Sequence, residues 1–216
     1  YDPVTDFAPI GLTAWGSLVL VAHPDQKAAT LADLMAMARA QPRAIGYASP
    51  GVGTPHHLAM ALLETANGVE LLHVPYKGSA GAVQDVLSGV TDFTVTTLGA
   101  LQPHFRSGKL RPLATTGESR APTLPNVPTV AEQGFTTYPT YSWWGAYVPT
   151  GTPPPIIDRI GDELRKAARA PDVRQKFVDL IDMEIIASTP QEFATFQQGE
   201  QKRWFKVIKE NDIKGD

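Results

Sequence analysis

Between Leu18 and Leu98, short apolar runs alternate with amphipathic segments, and glycine or proline marks almost every switch. Nothing else in the chain constrains its fold as strongly. Leu18-Val19-Leu20-Val21-Ala22 reads as a buried strand that stops at His23-Pro24. A helix follows, opened by Thr30 with Asp33 three residues on, faced by Leu31, Leu34, Met35 and Ala38, and closed by Pro42. Ala44 to Ser49 returns to strand character. A second helix presents Leu58, Ala61, Leu62 and Thr65 and ends at Asn67-Gly68. Leu71, Leu72 and Val74 make a further strand, Ser79 to Leu87 a helix faced by Ala82, Val83, Val86 and Leu87, and Phe93 to Leu98 another strand. This alternation predicts an α/β fold, a largely parallel sheet with helices on both faces.

The texture changes between Arg120 and Tyr141, where a proline-rich connection with a capped turn at Thr129 to Glu132 reads as a boundary. An aromatic strand, Tyr141 to Val148, leads to Thr152-Pro153, read as a cap before a helix faced by Ile156, Ile160, Leu164 and Ala167. A last helix opens on a capping box, Thr189 with Glu192, and carries Phe193, Phe196, Trp204, Val207 and Ile208. The 18 glycines and 19 prolines exceed the usual share of roughly 12%, yet they punctuate elements and form no low-complexity tract.

Composition narrows the function by exclusion. A formal net charge of -3 gives no basic surface for nucleic-acid phosphates or anionic lipid. The absence of cysteine removes disulfides, thiol catalysis and thiolate metal sites. The longest apolar run, Ser17 to Ala22, is too short to cross a bilayer, and Tyr1 opens the chain without Met or a signal-like segment. The expectation is a soluble product whose natural start has been removed, with no nucleic-acid partner and no membrane insertion.

The most informative stretch runs from Tyr47 to Leu58, because the turn Pro50-Gly51-Val52-Gly53-Thr54-Pro55 joins a strand end directly to a helix start. Glycines let the backbone approach a ligand, the helix N-terminus adds positive partial charge, and Ser49 and Thr54 offer hydroxyls. The other reading is a tight turn with Thr54 acting only as a cap. No Gly-Lys-Ser/Thr follows, and His56 stands where a dinucleotide fingerprint needs a small residue, so the better-matched guest is a carboxylate. His56 and His57 occupy adjacent helical positions about 100° apart and are poorly placed to share a metal ion. His57 is read as donating into the anion pocket or packing beneath it. His73 and His104 are read as structural or surface histidines.

A second strand end, Val74-Pro75-Tyr76-Lys77-Gly78-Ser79, repeats the turn and adds a cation. Parallel topology gathers such ends at one crevice. A third, Val95-Thr96-Thr97-Leu98-Gly99, brings hydroxyls to the same edge. The candidate ligand-binding residues are therefore Ser49, Pro50, Gly51, Val52, Gly53, Thr54, His57, Tyr76, Lys77, Thr96 and Thr97. No Gly-x-Ser-x-Gly elbow and no catalytic pair of carboxylates is present, so binding is favoured over catalysis, with no cofactor and no metal expected.

Gly51 to Leu58, Val74 to Ser79, Ser107 to Leu110, Leu124 to Thr129, Trp143 to Gly145 and Thr150 to Pro154 together resemble, in order, the extracytoplasmic receptors of tripartite tricarboxylate transporters, the Bug family. The resemblance runs from Tyr1 almost to the end. It implies a type II periplasmic-binding-protein-like fold that closes over a small carboxylate and delivers it to membrane transporter subunits, in the periplasm and without catalysis. It also implies a chain lacking the family's opening segment. Residues 1–16 would be an inter-lobe crossing and remnant of the first lobe, 17–141 the second ligand-binding lobe, and 142–216 the return strand and C-terminal helices of the first. On that reading Phe193, Phe196 and Trp204 lose the sheet they pack on and expose an apolar patch, and either a homo-oligomer covers them or the tail rearranges. The alternatives are the ligand-sensing domain of a transcription regulator and a small α/β enzyme acting on an anion.

Overall fold

The computed structural model describes residues 1–136 and 139–214; residues 137 and 138, within the proline-rich connection expected at 120–141, lie outside it. The chain divides into two units, residues 1–16 with 143–204 and residues 17–142 with 205–216.

In the second of these units the chain leaves a long strand, β1 (Phe7–Ala22), for α1 (Leu31–Ala40), β2 (Gly46–Ser49), α2 (Pro55–Asn67), β3 (Leu72–Pro75), α3 (Ser79–Leu87), β4 (Phe93–Thr97), α4 (Gln102–Arg106) and β5 (Arg111–Thr115). Local chemistry sets the helix ends. Thr30 Oγ1 accepts from the Asp33 amide at 3.1 Å while the Asp33 carboxylate accepts from the Thr30 amide at 2.9 Å, a complete capping box. Leu31, Leu34, Met35 and Ala38 are buried as their spacing requires. Thr54 caps α2, Pro55 takes its first position, and Gly68 closes it in a left-handed conformation.

Strand order is β3-β2-β4-β1-β5. β2 runs parallel to β3 and to β4, whereas β1 is antiparallel to both β4 and β5. The sheet is thus mixed, with a parallel part of three strands. Alternation does not reveal the sense of β1, because β4 lies between it and β2 and no crossover between neighbours fixes its direction. β5 also escapes the sequence pattern. It is an edge strand carrying Pro112, a residue that sheets tolerate at their edges.

The pleat sends alternate residues to opposite faces. Leu18, Leu20, Tyr47, Phe93 and Val95 meet α1 and α2 on one face. Val19, Val21 and Ala48 meet Ala82, Val83 and Val86 of α3 on the other. Helices therefore cover both faces, as expected, and the parallel strand ends Ser49, Pro75 and Thr97 share one edge.

The remaining unit takes the first residues of β1 with β6 (Tyr141–Pro149), α5 (Pro154–Ala168), α6 (Pro171–Arg174), β7 (Glu184–Ile185) and α7 (Pro190–Glu210), although the first two residues of β6 and the last residues of α7 belong to the other unit. Thr189 and Glu192 form the expected capping box at the start of α7. Three expectations change here. Thr152 does not cap α5: Pro153 holds the cap position and the Thr152 hydroxyl donates to the Pro149 carbonyl at 2.8 Å. Ile156 and Ile160 are exposed, and the inward stripe is Ile157, Gly161, Leu164 and Ala168. Phe193, open to solvent on the oligomer branch of the expectation, is fully buried within the chain, and Phe196 and Trp204 are half-buried. The aromatic strand supplies the cover. The Trp143 ring meets Phe193 and Phe196 edge-on at 5.7 and 5.6 Å, Tyr147 lies 5.0 Å from Phe193, and the Phe193 ring fills the space where a Cβ on Gly145 would sit.

Candidate functional site

The site grows from the end of β2. Ser49 is fully buried, with Oγ 2.6 Å from His73 Nε2 and 3.2 Å from both the amide and the carbonyl of Gly51. The following turn needs its glycines: Gly51 has φ 148° and Gly53 φ 72°, in the region L side chains rarely enter. The Gly51 carbonyl then accepts the Thr54 hydroxyl at 2.8 Å. Thr54 Oγ1 in turn accepts the His57 amide at 3.4 Å, which leads the chain into α2.

Two glycine amides expected to face a ligand are already committed. The Gly51 amide donates to Ser49 Oγ, and the Gly53 amide donates to His57 Nδ1 at 3.1 Å. That bond fixes the neutral His57 tautomer with its proton on Nε2. The amides of Val52 and His56 make no hydrogen bond among the described residues, so they are the donors the turn keeps available.

His57 packs beneath the turn. Its ring stacks on His73 at 3.9 Å, His73 stacks on Tyr47 at 4.9 Å, and Tyr47 on Phe93 at 5.8 Å. Burial lowers the pKa of His57, and burial together with the nearby His57 pushes His73 down to about 4. Sequence reading set His73 aside as structural. The parallel register Tyr47↔His73 is what brings it under the turn, and no local pattern encodes that register. Ser49 beside His73 has the distance of a nucleophile and its base. Ser49 is nevertheless fully buried and its oxygen is engaged by its own turn, so the pair acts as a brace.

The second strand end is laced to the first. The Tyr76 amide donates to the Ser49 carbonyl and the Gly78 amide to the Pro50 carbonyl, both at 2.9 Å. The Tyr76 hydroxyl donates to the Asp85 carboxylate, and that bond, with burial, pushes the phenol up to about 12. Lys77 is exposed and forms no ion pair among the described residues, so its cation is free. The third strand end is divided. Thr96 pairs with Val19 on the α3 face and is fully buried, while Thr97 falls on the Ser49 face and is half-buried. Ser49, Pro50, Gly51, Val52, Gly53, Thr54, His57, Tyr76 and Lys77 thus form one continuous pair of turns; Thr97 ends β4 on the Ser49 face, and Thr96 beside it is buried on the α3 face.

Sequence and structure comparisons add to this geometry. The model of the tripartite tricarboxylate transporter family receptors matches residues 1–213. A UPF0065 protein in the tcbD-tcbE intergenic region of Pseudomonas sp. (strain P51) is 36% identical over 211 residues, 97% of this chain and 62% of that protein, so the chain spans less than two thirds of that relative. The structure of R. palustris Rpa4515 with adipate is similar at TM-score 0.91 and 34% identity, covering 100% of this chain and 72% of the other. MatC from Rhodopseudomonas palustris with bound malate is similar at TM-score 0.88 and 26% identity, over 96% of this chain and 71% of the other.

Proposed function

The chain belongs to the tripartite tricarboxylate transporter receptor family, and from that premise we propose that it captures a small carboxylate outside the cytoplasm and delivers it to a membrane transporter. The family and the fold are those of solute-binding receptors. One observation carries the reading. The turn between β2 and α2 presents the uncommitted amides of Val52 and His56 at a helix N-terminus, over a braced floor of buried Ser49 and His57 and half-buried His73. Such an arrangement holds an anion with oriented dipoles and without a formal positive charge in contact. Lys77 adds long-range attraction for an acid from the neighbouring turn. Adipate in one similar structure and malate in another supply the ligand class: short-chain organic acids.

Calorimetric titration of the chain with adipate and with malate tests the proposal through Gly53. At φ 72° a valine strains the turn, whereas asparagine tolerates the left-handed region. Beyond the two chain neighbours no heavy atom lies within 4 Å of a Cβ built there, so the backbone angle is the main thing a β-branched residue disturbs. We expect Gly53→Val to weaken acid binding at least tenfold and Gly53→Asn to keep most of it. Equal affinity of the valine variant and the parent would remove the turn from the site.

A further inference from the structure

The end of the sheet opposite the two turns carries a second cluster of polar side chains, which the receptor reading does not use. There Ala22 closes β1 beside Phe93 and Arg111, the first residues of β4 and β5. An open pocket of about 470 Å³ lies at this end, lined by His23, Pro24, Gln84, Leu87, His104 and Lys109. These residues come from the segment after β1, the last turns of α3, α4, and the turn that follows α4. Pockets of this size hold small molecules.

Local bonding prepares the donors. His23 Nδ1 accepts the Asp25 amide at 3.2 Å, which leaves the neutral ring its proton on Nε2. The Asp25 carboxylate stands 3.7 Å from that same Nδ1, is exposed, and does not line the pocket. After α4, Gly108 turns the chain at φ 67°, and the His104 carbonyl accepts the Lys109 amide at 2.9 Å, so the Ser107 to Leu110 motif is folded back on α4. Among the described residues no hydrogen bond or ion pair engages the Lys109 ammonium, the His104 ring or the Gln84 side-chain amide. The lining thus gathers N–H donors, one of them fully charged, with no carboxylate, on a chain of net charge -3. Two imidazoles without a third ligand do not make a metal site, and no group of three or more His, Asp or Glu that could hold an ion occurs among the described residues. Pro24 and Leu87 give the pocket an apolar wall.

We propose that this pocket is a second binding site, for a small organic polycarboxylate whose charged groups meet Lys109, His104 and His23 and whose carbon frame lies on Pro24 and Leu87. Donors on several sides of the pocket favour a guest with more than one carboxylate, since one such group uses only two or three of them. The site is independent of the turn between β2 and α2, which lies at the other end of the same sheet.

The imidazole NMR resonances of His23 and His104 read this pocket directly. Citrate and inorganic phosphate are the probes, each titrated beside sodium chloride of equal ionic strength. Both rings should shift and saturate with citrate, at a lower Kd than with phosphate, which has no carbon frame for the apolar wall. Lys109→Ala changes an exposed side chain, so it should leave the melting temperature unchanged and raise the citrate Kd about tenfold, the loss of one charge-assisted bond. Gly53→Val should leave the citrate response of the two rings as it is in the parent. Shifts that never saturate, or that sodium chloride reproduces, would reduce the effect to screening and overturn the proposal. So would equal Kd values for citrate and phosphate, or for the parent and Lys109→Ala. A response lost in Gly53→Val would put the acid at the turn between β2 and α2 and overturn the second site while leaving the receptor reading intact. Failure of that reading shows separately, as no binding of adipate or malate in calorimetry.

Discussion

Three imidazoles, those of His56 and His57 buried and that of His73 half-buried, give the second unit a pH dependence whose sign is set by their neutrality. His56 and His73 are pushed down to about 4 by burial, His73 also by His57 beside it, and His57 itself is lowered by burial. On unfolding they return to roughly 6.5, so just below that pH the unfolded chain binds more protons than the folded one, and stability falls as pH drops. Glu64 opposes them. Burial pushes its carboxyl up to about 7, so the folded form keeps a proton that the unfolded chain releases above roughly 4.5, and its contribution fades as pH rises. Urea midpoints should therefore decline between about pH 6.5 and 4.5. Glu64→Gln should steepen that decline and His56→Phe should flatten it; a midpoint that is level or rises on acidification would show that the imidazoles charge freely in the folded protein. Little of this residue-scale detail was legible in the sequence. The turn and its capping threonine are local and were read directly, whereas the His57–His73–Tyr47 stack depends on the pairing of β2 with β3, two strands separated by a helix.

At the scale of elements, what was legible followed the range of the determining interaction. The boundaries of α1 and α2 are written in caps and prolines within a few residues, and their buried faces follow from helical spacing. The face of α5 was displaced because hydrophobic spacing cannot see glycine: Gly161 is buried in the contact stripe, while Ile156 and Ile160 look outward. The burial of Phe193 was missed for the opposite reason, since its cover comes from β6, about fifty residues earlier. Two glycines make the point testable. A Cβ on Gly145 would sit 2.0 Å from the Phe193 ring, so Gly145→Ala should destabilise by about 1–3 kcal/mol or more, read from denaturant midpoints at constant m-value. A Cβ on Gly161 meets first the flexible end of Arg165 at 3.1 Å, so Gly161→Ala should be neutral or should stabilise by up to about 1 kcal/mol through its helical preference. Equal effects at the two positions would contradict the packing of Phe193 against Gly145.

For the whole molecule, each residue proposed to contact the acid lies in residues 17–142, and the two turns that carry most of them are joined by backbone hydrogen bonds. Here the sequence was most informative, because an ordered set of short motifs along nearly the full chain specifies a family more narrowly than any one loop does. The same motifs do not identify the ligand, since a cradle for one carboxylate fixes only one end of an acid. The central claim is that the chain binds small organic acids through their charge. Its most direct test is a thermal-shift screen in which each acid is paired with its neutral amide, adipate with adipamide foremost. At a hundred times its Kd a bound acid contributes about 2.7 kcal/mol, which for a chain of this size raises the midpoint by roughly 5–10 °C. The expected result is a shift of that order with one or more acids and none with the paired amides. Equal shifts from acid and amide, or no shift from any acid across the panel, would contradict the claim.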